Sequence, residues 1–299
     1  MRILNLGSLN MDRIYFVDHI VREGETVHSE EVRFCCGGKG LNQSVALAKA
    51  GMEVYHGGQI GKDGALLRNK LKDSGVRTDY VVQTAGESGH AVIQIDTHGK
   101  NSILVCAGAN GLVCREFIDE VLGHFEEGDA LLLQNEISNV DYAIRRAREK
   151  GMIIIVNPSP ITKALSECGL ENADILMLNE SEAAALSGVQ EDYHGMLKVL
   201  SLRYPNTMLV LTVGEQGAMC WNRGTLFNQC AFETPVIDTT AAGDTFCGYF
   251  IADILRGRPI AEAMEDAAIA AAMTVSRLGA ADSIPTRDEV DRYREEALK

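Results

Sequence analysis

Val236-Ile237-Asp238-Thr239-Thr240-Ala241-Ala242-Gly243-Asp244-Thr245-Phe246 runs from a turn of small residues straight into a long apolar helix. Small side chains leave the backbone N–H groups exposed at the positive end of that helix, which makes an anion site. A carboxylate at position 244 repels an anion unless it has its own task, such as accepting a proton from an attacking hydroxyl. The plain alternative is an acidic residue that stabilises a first helical turn.

Outward from this turn, apolar runs of strand length at 3–6, 54–60, 130–133, 152–156, 175–178 and 208–213 alternate with helical stretches. The helices are expected over 41–50, closed by Gly51, from Asp63 to a stop at Gly75, and over 140–150, ended by Gly151. Such alternation predicts a parallel sheet flanked by helices. Three more helices are expected near 242–256, 260–277 and 287–298. Two segments, 13–34 and 90–106, carry extended runs with no helix between them and read as hairpins outside the main sheet. In the second, Ala91, Ile93 and Ile95 alternate with Val92, Gln94 and Asp96. A small sheet placed over the open end of an α/β core is a lid. No repeat, low-complexity tract or linker divides the chain, so 1–299 reads as one domain, with lid insertions at about 11–36 and 88–107.

The chain has 299 residues, 46% of them hydrophobic, enough for a large core. Its 28 Lys+Arg against 42 Asp+Glu leave a net charge of -14, which disfavours nucleic acid and anionic membranes as partners. An anionic substrate must then find positive potential locally. The opening MRILNLGSLNMDRIY lacks the apolar core of a signal peptide, and no later stretch reaches the length of a membrane span, so a cytoplasmic protein is expected. Cys35, Cys36, Cys106, Cys114, Cys168, Cys220, Cys230 and Cys247 show no C-x-x-C spacing and read as reduced thiols.

No G-x-x-x-x-G-K-[ST] occurs, and the stretch 38–43 has Gln43 in place of the last glycine of G-x-G-x-x-G, so P-loop and dinucleotide readings are weak. In Gly37-Gly38-Lys39-Gly40-Leu41-Asn42-Gln43-Ser44 the glycines let a ligand approach the backbone, while Lys39 and Asn42 offer the directed hydrogen bonds a polyol needs. An ordinary loop with Asn in a first helical turn is the competing reading. Asn10 and Asp12, Glu136, and Asn179-Glu180-Ser181-Glu182 all follow apolar strands, where open α/β sheets bind ligands. Each alone is an ordinary loop residue; their recurrence at strand ends favours function.

Together these stretches resemble the ribokinase family, the phosphofructokinase-B group of carbohydrate kinases, over nearly the whole chain. The 37–44 stretch is similar to the family's N-terminal glycine signature, with Ser44 where alanine is usual, and Asp238 to Asp244 to its C-terminal signature. Asn10-x-Asp12, Ala107-Gly108-Ala109-Asn110, Asn157-Pro158-Ser159-Pro160, Asn179-Glu180-x-Glu182, Thr212-Val213-Gly214 and the stretch 277–285 add to the resemblance. It implies a three-layer α/β/α sandwich with a mainly parallel central sheet and a small β-sheet lid, through which a homodimer would form. It implies that Asn10, Asp12, Gly38, Lys39, Asn42 and Glu136 hold a sugar and that Asp244 is the base. Ala241, Ala242 and Gly243 would form an anion hole. Asn179, Thr212, Gly214, Gly217 and Gly243 would contact ATP, and Glu182 would place Mg²⁺ through water. Asp238, Thr240, Thr274, Arg277, Gly279 and Ser283 match positions around a monovalent cation, K⁺ foremost. Two departures stand out: Ala268 where an asparagine near adenine is frequent, and His90 where the lid strand has an aliphatic residue.

A carboxylate is a weak base for an alcohol, so proton transfer should come late, after the hydroxyl oxygen begins to bond to phosphorus. Lys39 is the one cation among the sugar positions, so a neutral polyol fits better than a sugar phosphate. Ribose leads; fructose, deoxyribose or a nucleoside are the alternatives, the last needing an aromatic such as Phe34 near the lid. A sugar-binding protein without catalysis and a dehydrogenase are readings from other classes.

Overall fold

The computed structural model describes residues 1–162, 165 and 169–297; Cys168 and the end of the last expected helix, at 298, lie outside the described residues. Nine strands form the main sheet: β1 (Ile3–Leu6), β4 (Val54–Ile60), β5 (Arg77–Gln83), β8 (Ala130–Gln134), β9 (Ile153–Asn157), β10 (Ile175–Asn179), β11 (Met208–Thr212), β12 (Ala218–Asn222) and β13 (Thr225–Gln229). Their order is β13-β12-β11-β10-β9-β8-β1-β4-β5, parallel from β5 to β11, with an antiparallel edge of β12 and β13. From β1 the chain steps one way to β4 and β5, then returns to β8 on the other side of β1. The order therefore reverses at the β1/β8 boundary, where open α/β sheets leave a crevice at their carboxyl ends.

Helices cover both faces. On one lie α1 (Lys39–Lys49), α2 (Ala65–Asp73), α7 (Ala242–Leu255), α8 (Ile260–Val275) and α9 (Arg287–Ala297); on the other lie α3 (Arg115–Leu122), α4 (Val140–Glu149), α5 (Glu180–Ser187) and α6 (Tyr193–Arg203). Strand β8 shows why two cores result. Its residues Ala130 and Leu132 join the first group, Leu131 and Leu133 the second, as the two-residue side-chain period dictates. No helix among the described residues is long and apolar enough to cross a membrane.

The expected hairpins are present. Strand β2 (Asn10–Phe16) pairs antiparallel with β3 (Glu31–Gly37), and β6 (Gly89–Ile95) with β7 (Asn101–Cys106). A parallel β2–β6 contact fuses them into a second sheet, β3-β2-β6-β7. Its register puts Cys35, Asp12, Ala91 and Val105 in one cross-strand row, and Phe34, Arg13, Val92 and Leu104 in the next row, on the opposite face. His90 aligns with Met11 and Cys106, so it too faces away from Asp12.

Helices α1 and α7 come unusually close. A Cβ added at Gly248 would sit 2.4 Å from the Ala46 Cβ, so only glycine lets the two backbones approach at this point. Gly248 lies one turn after Asp244 and Ala46 one turn after Asn42, and this contact brings the starts of the two helices together.

Candidate active site

Asn42 Nδ2 donates to Asp244 Oδ2 at 3.0 Å and Gln43 Nε2 donates to Oδ1 at 2.9 Å. The base predicted from the last third of the chain is thus gripped by the predicted polyol loop, although the partners of the first bond are 202 positions apart in sequence. Asp244 is buried in the first turn of α7. Its helix begins at Ala241, which takes a left-handed backbone (φ 62) with no side-chain cap. Ala242 N–H reaches Thr239 O at 3.3 Å, while the N–H groups of Gly243 and Asp244 have no acceptor among the described residues. A Cβ on Gly243 would meet nothing within 4 Å, so this helix end opens onto free space. The space is a cleft of about 220 Å³ lined by Ala241, Ala242, Gly243, Asp244, Lys39, Asn179, Glu182 and Thr212.

Asn10, Asp12, Gly38 and Glu136 gather near the start of α1. Glu136 accepts the N–H of Lys39 at 3.0 Å and the hydroxyl of Ser8 on the same oxygen, Oε2, so it closes the start of α1. Gly38 precedes that helix with φ 93, a conformation natural to glycine. Asn10 is buried and its Oδ1 accepts from Asn110 Nδ2 at 2.8 Å. Burial, and then the nearby Glu136, push the Asp12 carboxyl up to about 7. Burial also raises Glu136, against the lowering by Ser8 and Lys39. For Lys39, burial works to lower the ammonium, but Asp244, Glu136 and Glu182 outweigh it and hold it above its ordinary value. Lys39 and the start of α7 are the local positive potential that a chain of net charge -14 needs to receive an anion.

Asn179 and Glu182 form a full capping box on α5. The Glu182 N–H donates to Asn179 Oδ1 at 2.9 Å, and Asn179 donates from its backbone to Glu182 Oε2 at 2.9 Å and from Nδ2 to Oε1 at 3.0 Å. Thr212 Oγ1 donates to Leu178 O at 3.3 Å. Gly214 and Gly217 stand apart: they shape the tight turn between β11 and β12, and neither lines the cleft. A Cβ at Gly217 would lie 2.0 Å from Gln229 O, a packing reason for glycine there.

Asp238 ties two loops. Its Oδ1 accepts the N–H (2.9 Å) and hydroxyl (2.6 Å) of Thr240, and its Oδ2 accepts Gly279 N–H at 3.0 Å. The carbonyls of Asp238, Thr240, Arg277 and Gly279 receive no hydrogen bond among the described residues. The Thr274 carbonyl, by contrast, accepts from Arg277 N–H at 3.1 Å, and its hydroxyl is used within the helices on Ala270 O and Thr245 Oγ1. The Ser283 hydroxyl donates to Ala280 O, and the Arg277 guanidinium holds Glu289. Ala268 is buried on α8, in the core on that face of the sheet.

Sequence reasoning quoted Gln43, Asn157 and Ser159 without giving them a place; the structure puts Asn157 and Ser159 on the cleft wall and Gln43 on the base. The signal for Gln43 was its position directly after Asn42 at the start of α1.

An acceptor hydroxyl and an anionic donor can meet at one point, in front of Asp244 and the free N–H of Gly243, and that geometry defines a kinase acting on a small alcohol. A family model described as pfkB family carbohydrate kinase matches residues 2–287, and the chain belongs to that family. It is 33% identical over 300 residues to the ribokinase of Haemophilus influenzae, covering 98% of both chains. It is 35% identical over 291 residues to the ribokinase of Bacillus subtilis (96% and 97% covered) and 30% over 302 residues to the deoxyribokinase of Salmonella typhi (98% of both). Among solved structures, the ribokinase of Cryptococcus neoformans with ADP superposes at TM-score 0.86, with 31% identity and 98% of both chains covered. The Arabidopsis thaliana ribokinase with ribose and ATP also gives 0.86, with 28% identity and 97% of both.

Proposed function

We propose that this chain transfers the γ-phosphoryl group of ATP to D-ribose, giving D-ribose 5-phosphate and ADP. The observation that carries the reading is the Asp244 carboxylate, held by Asn42 and Gln43 in the first turn of a helix whose N-terminus opens onto the cleft. The Arabidopsis ribokinase binds ribose and ATP together, which supports the same pair of ligands here.

The sugar is held by Asn10, Asp12, Gly38, Lys39, Asn42 and Glu136, acceptors and amides that match ring hydroxyls. Asn42 Oδ1 is buried without a donor, so a sugar hydroxyl would complete it. ATP lies along the cleft past Asn179 and Thr212, with its γ-phosphoryl group at the N–H groups of 241–243. Asp244 takes the proton of the primary hydroxyl late in the transfer, and the helix end stabilises charge on the transferred oxygens.

The lid reading assigns the β3-β2-β6-β7 sheet, over about 11–36 and 88–107, to closure over the sugar. A nucleoside acceptor is disfavoured because Phe34, its candidate stacking ring, lies on the face opposite Asp12. Deoxyribose is the nearer rival, given the Salmonella deoxyribokinase.

Mg²⁺ would enter with the nucleotide. Of the two carboxylates on the cleft, Asp244 and Glu182, the second would help hold a hydrated Mg²⁺ bound mainly by phosphates. A monovalent cation fits the free carbonyls of Asp238, Thr240, Arg277 and Gly279; Thr274, with its carbonyl in use, is the weakest of the set. The seven described cysteines are all free thiols, which suits a reducing cytoplasm.

The test is a coupled assay of ADP release over ribose, deoxyribose, fructose and nucleosides. Ribose should give the highest kcat/KM, and Asp244→Asn should lower kcat by about 10²-fold or more while calorimetric ribose binding persists. No ADP with ribose, alongside turnover of another sugar, sinks the ribose assignment.

A further inference from the structure

We infer that Gln43 is a positioning residue for Asp244, oriented by a chain of buried polar side chains that runs back through Gln134, Asn5 and Ser44 to His56; this rests on Asp244 being the base proposed above. Gln43 Nε2 lies 2.9 Å from Asp244 Oδ1 and 3.0 Å from Asn157 Oδ1, and its Oε1 accepts from Gln134 Nε2 at 2.6 Å. Gln134 Nε2 also donates to Asn5 Oδ1 at 3.1 Å. Asn5 Nδ2 donates to Gly40 O and to Ser44 Oγ, both at 2.8 Å. Ser44 Oγ is 2.8 Å from His56 Nδ1, whose Nε2 is 3.2 Å from Gly7 O. Gln43 is 1% exposed and Asn5, Ser44, His56 and Gln134 are 0% exposed, so water cannot substitute for any partner.

The chain has one polarity. Gly7 O can only accept, so His56 carries its hydrogen on Nε2 and accepts on Nδ1. Burial favours the same neutral ring, holding His56 down at about 4. Ser44 must then donate to His56 and accept from Asn5. That fixes the Asn5 oxygen toward Gln134, the Gln134 amide hydrogens toward Gln43, and the Gln43 amide hydrogens toward Asp244. Turning the Gln43 amide over would set its oxygen against the carboxylate and its NH₂ against another NH₂. Ser44 thus becomes a link that communicates orientation.

Gln43 and Asn42 do different work. Asn42 leaves Oδ1 for a sugar hydroxyl, whereas both amide atoms of Gln43 are already engaged by Asp244, Asn157 and Gln134. Gln43 therefore holds the Asp244 plane before, during and after sugar binding, and leaves the remaining lone pairs of the carboxylate for the acceptor proton. A base fixed in this way loses little orientation at the moment of transfer.

Steady-state kinetics of Gln43→Leu, Gln43→Glu and Ser44→Ala provide the test. Gln43→Leu should lower kcat by roughly 10- to 100-fold, the effect of a slightly misplaced group, with KM for sugar and ATP changed by less than about threefold. Losing an N–H donor favours the protonated carboxyl, so the acidic limb of kcat against pH should move to higher pH. Gln43→Glu keeps the shape and sets a second carboxyl against Asp244, so the limb should move further. Ser44→Ala, which breaks the chain far from the base, should lower kcat by a few fold at unchanged KM. If Gln43→Leu does not fold, the isosteric Gln43→Glu decides. A folded Gln43 variant that keeps the parent kcat and acidic limb overturns the inference; a parent enzyme that phosphorylates no sugar overturns the kinase reading instead.

Discussion

Burial lifts the Asp12 carboxyl to about 7, and Glu136 adds to the lift. Because the folded-state value stands above the ordinary one, the stability tied to this group is present at low pH and is lost as pH rises through about 7. If Asp12 holds the sugar as proposed, the sugar hydroxyls would donate to its ionised form, and binding and stability would make opposite demands on the residue. KM for the sugar should rise as pH falls from 8 to 6. Asp12→Asn should remove that titration, weaken sugar binding, and raise unfolding stability at pH 8 by on the order of 1 kcal/mol while changing little near pH 4. A wild-type KM that stays flat over pH 6 to 8, or an Asn variant no more stable at pH 8, excludes Asp12 as the pH-sensitive ligand. Nothing in the local sequence announces this shift. It arises because β2 pairs with β3 and β6 and encloses Asp12 next to Glu136, a residue from the far side of β1.

At the scale of elements, the turn before α7 is held from two directions. Asp238 ties it to the loop after α8 through Gly279, and Val275 O accepts the N–H groups of Ile237 (2.8 Å) and Asp238 (3.2 Å). These bonds make Asp238 a turn-stabilising residue, yet they leave the carbonyls of Asp238, Thr240, Arg277 and Gly279 free among the described residues. If K⁺ binds them, it steadies the N–H groups that face the transferred phosphoryl, so its effect falls on the transition state. Replacing K⁺ by tetramethylammonium at constant ionic strength should lower kcat several fold and leave KM for the sugar nearly unchanged; equal rates in the two salts would remove the cation. The same scale exposes what sequence reading missed. Strands β12 and β13 form a two-residue hairpin at Arg223 (φ 48) and Gly224 (φ 85), but Asn222-Arg223-Gly224 dilutes the usual Asn-Gly signal. Strand β5 and helices α3, α5 and α6 were not foreseen either. For α5 the Asn179 to Glu182 spacing was quoted for nucleotide and metal binding, and it also builds the capping box that starts the helix.

Across the whole molecule, the second sheet leaves several large apolar side chains exposed. Phe34 (65%) and Leu104 (71%) are exposed on one face, Ile103 (55%) and Val105 (59%) on the other. We propose that a second copy of the chain covers part of it and forms a homodimer through the lid. Light scattering should give about twice the 32.5 kDa chain mass. Ile103→Asp combined with Val105→Asp should shift it to one chain mass and raise KM for the sugar, since the face involved also carries Asp12. A monomeric parent protein refutes the dimer without touching the site.

The alternation of apolar runs and glycine-closed helices was enough to define a parallel α/β sheet with hairpins outside it, because each run's length and period depend on its own residues. The short signatures at 37–44 and 238–244 likewise made Asp244, Asn42 and the small-residue helix start legible, since their chemistry is local. What only the tertiary structure decided is which of these parts touch. The close α1–α7 contact at Gly248 places Asn42 and Gln43 on Asp244, and the β1/β8 reversal sets Gln134 between Asn5 and Gln43. The pleat of the second sheet turns Phe34 and His90 away from Asp12. Burial, orientation and altered acidity are properties of neighbours distant in the chain, and a linear pattern carries no record of them.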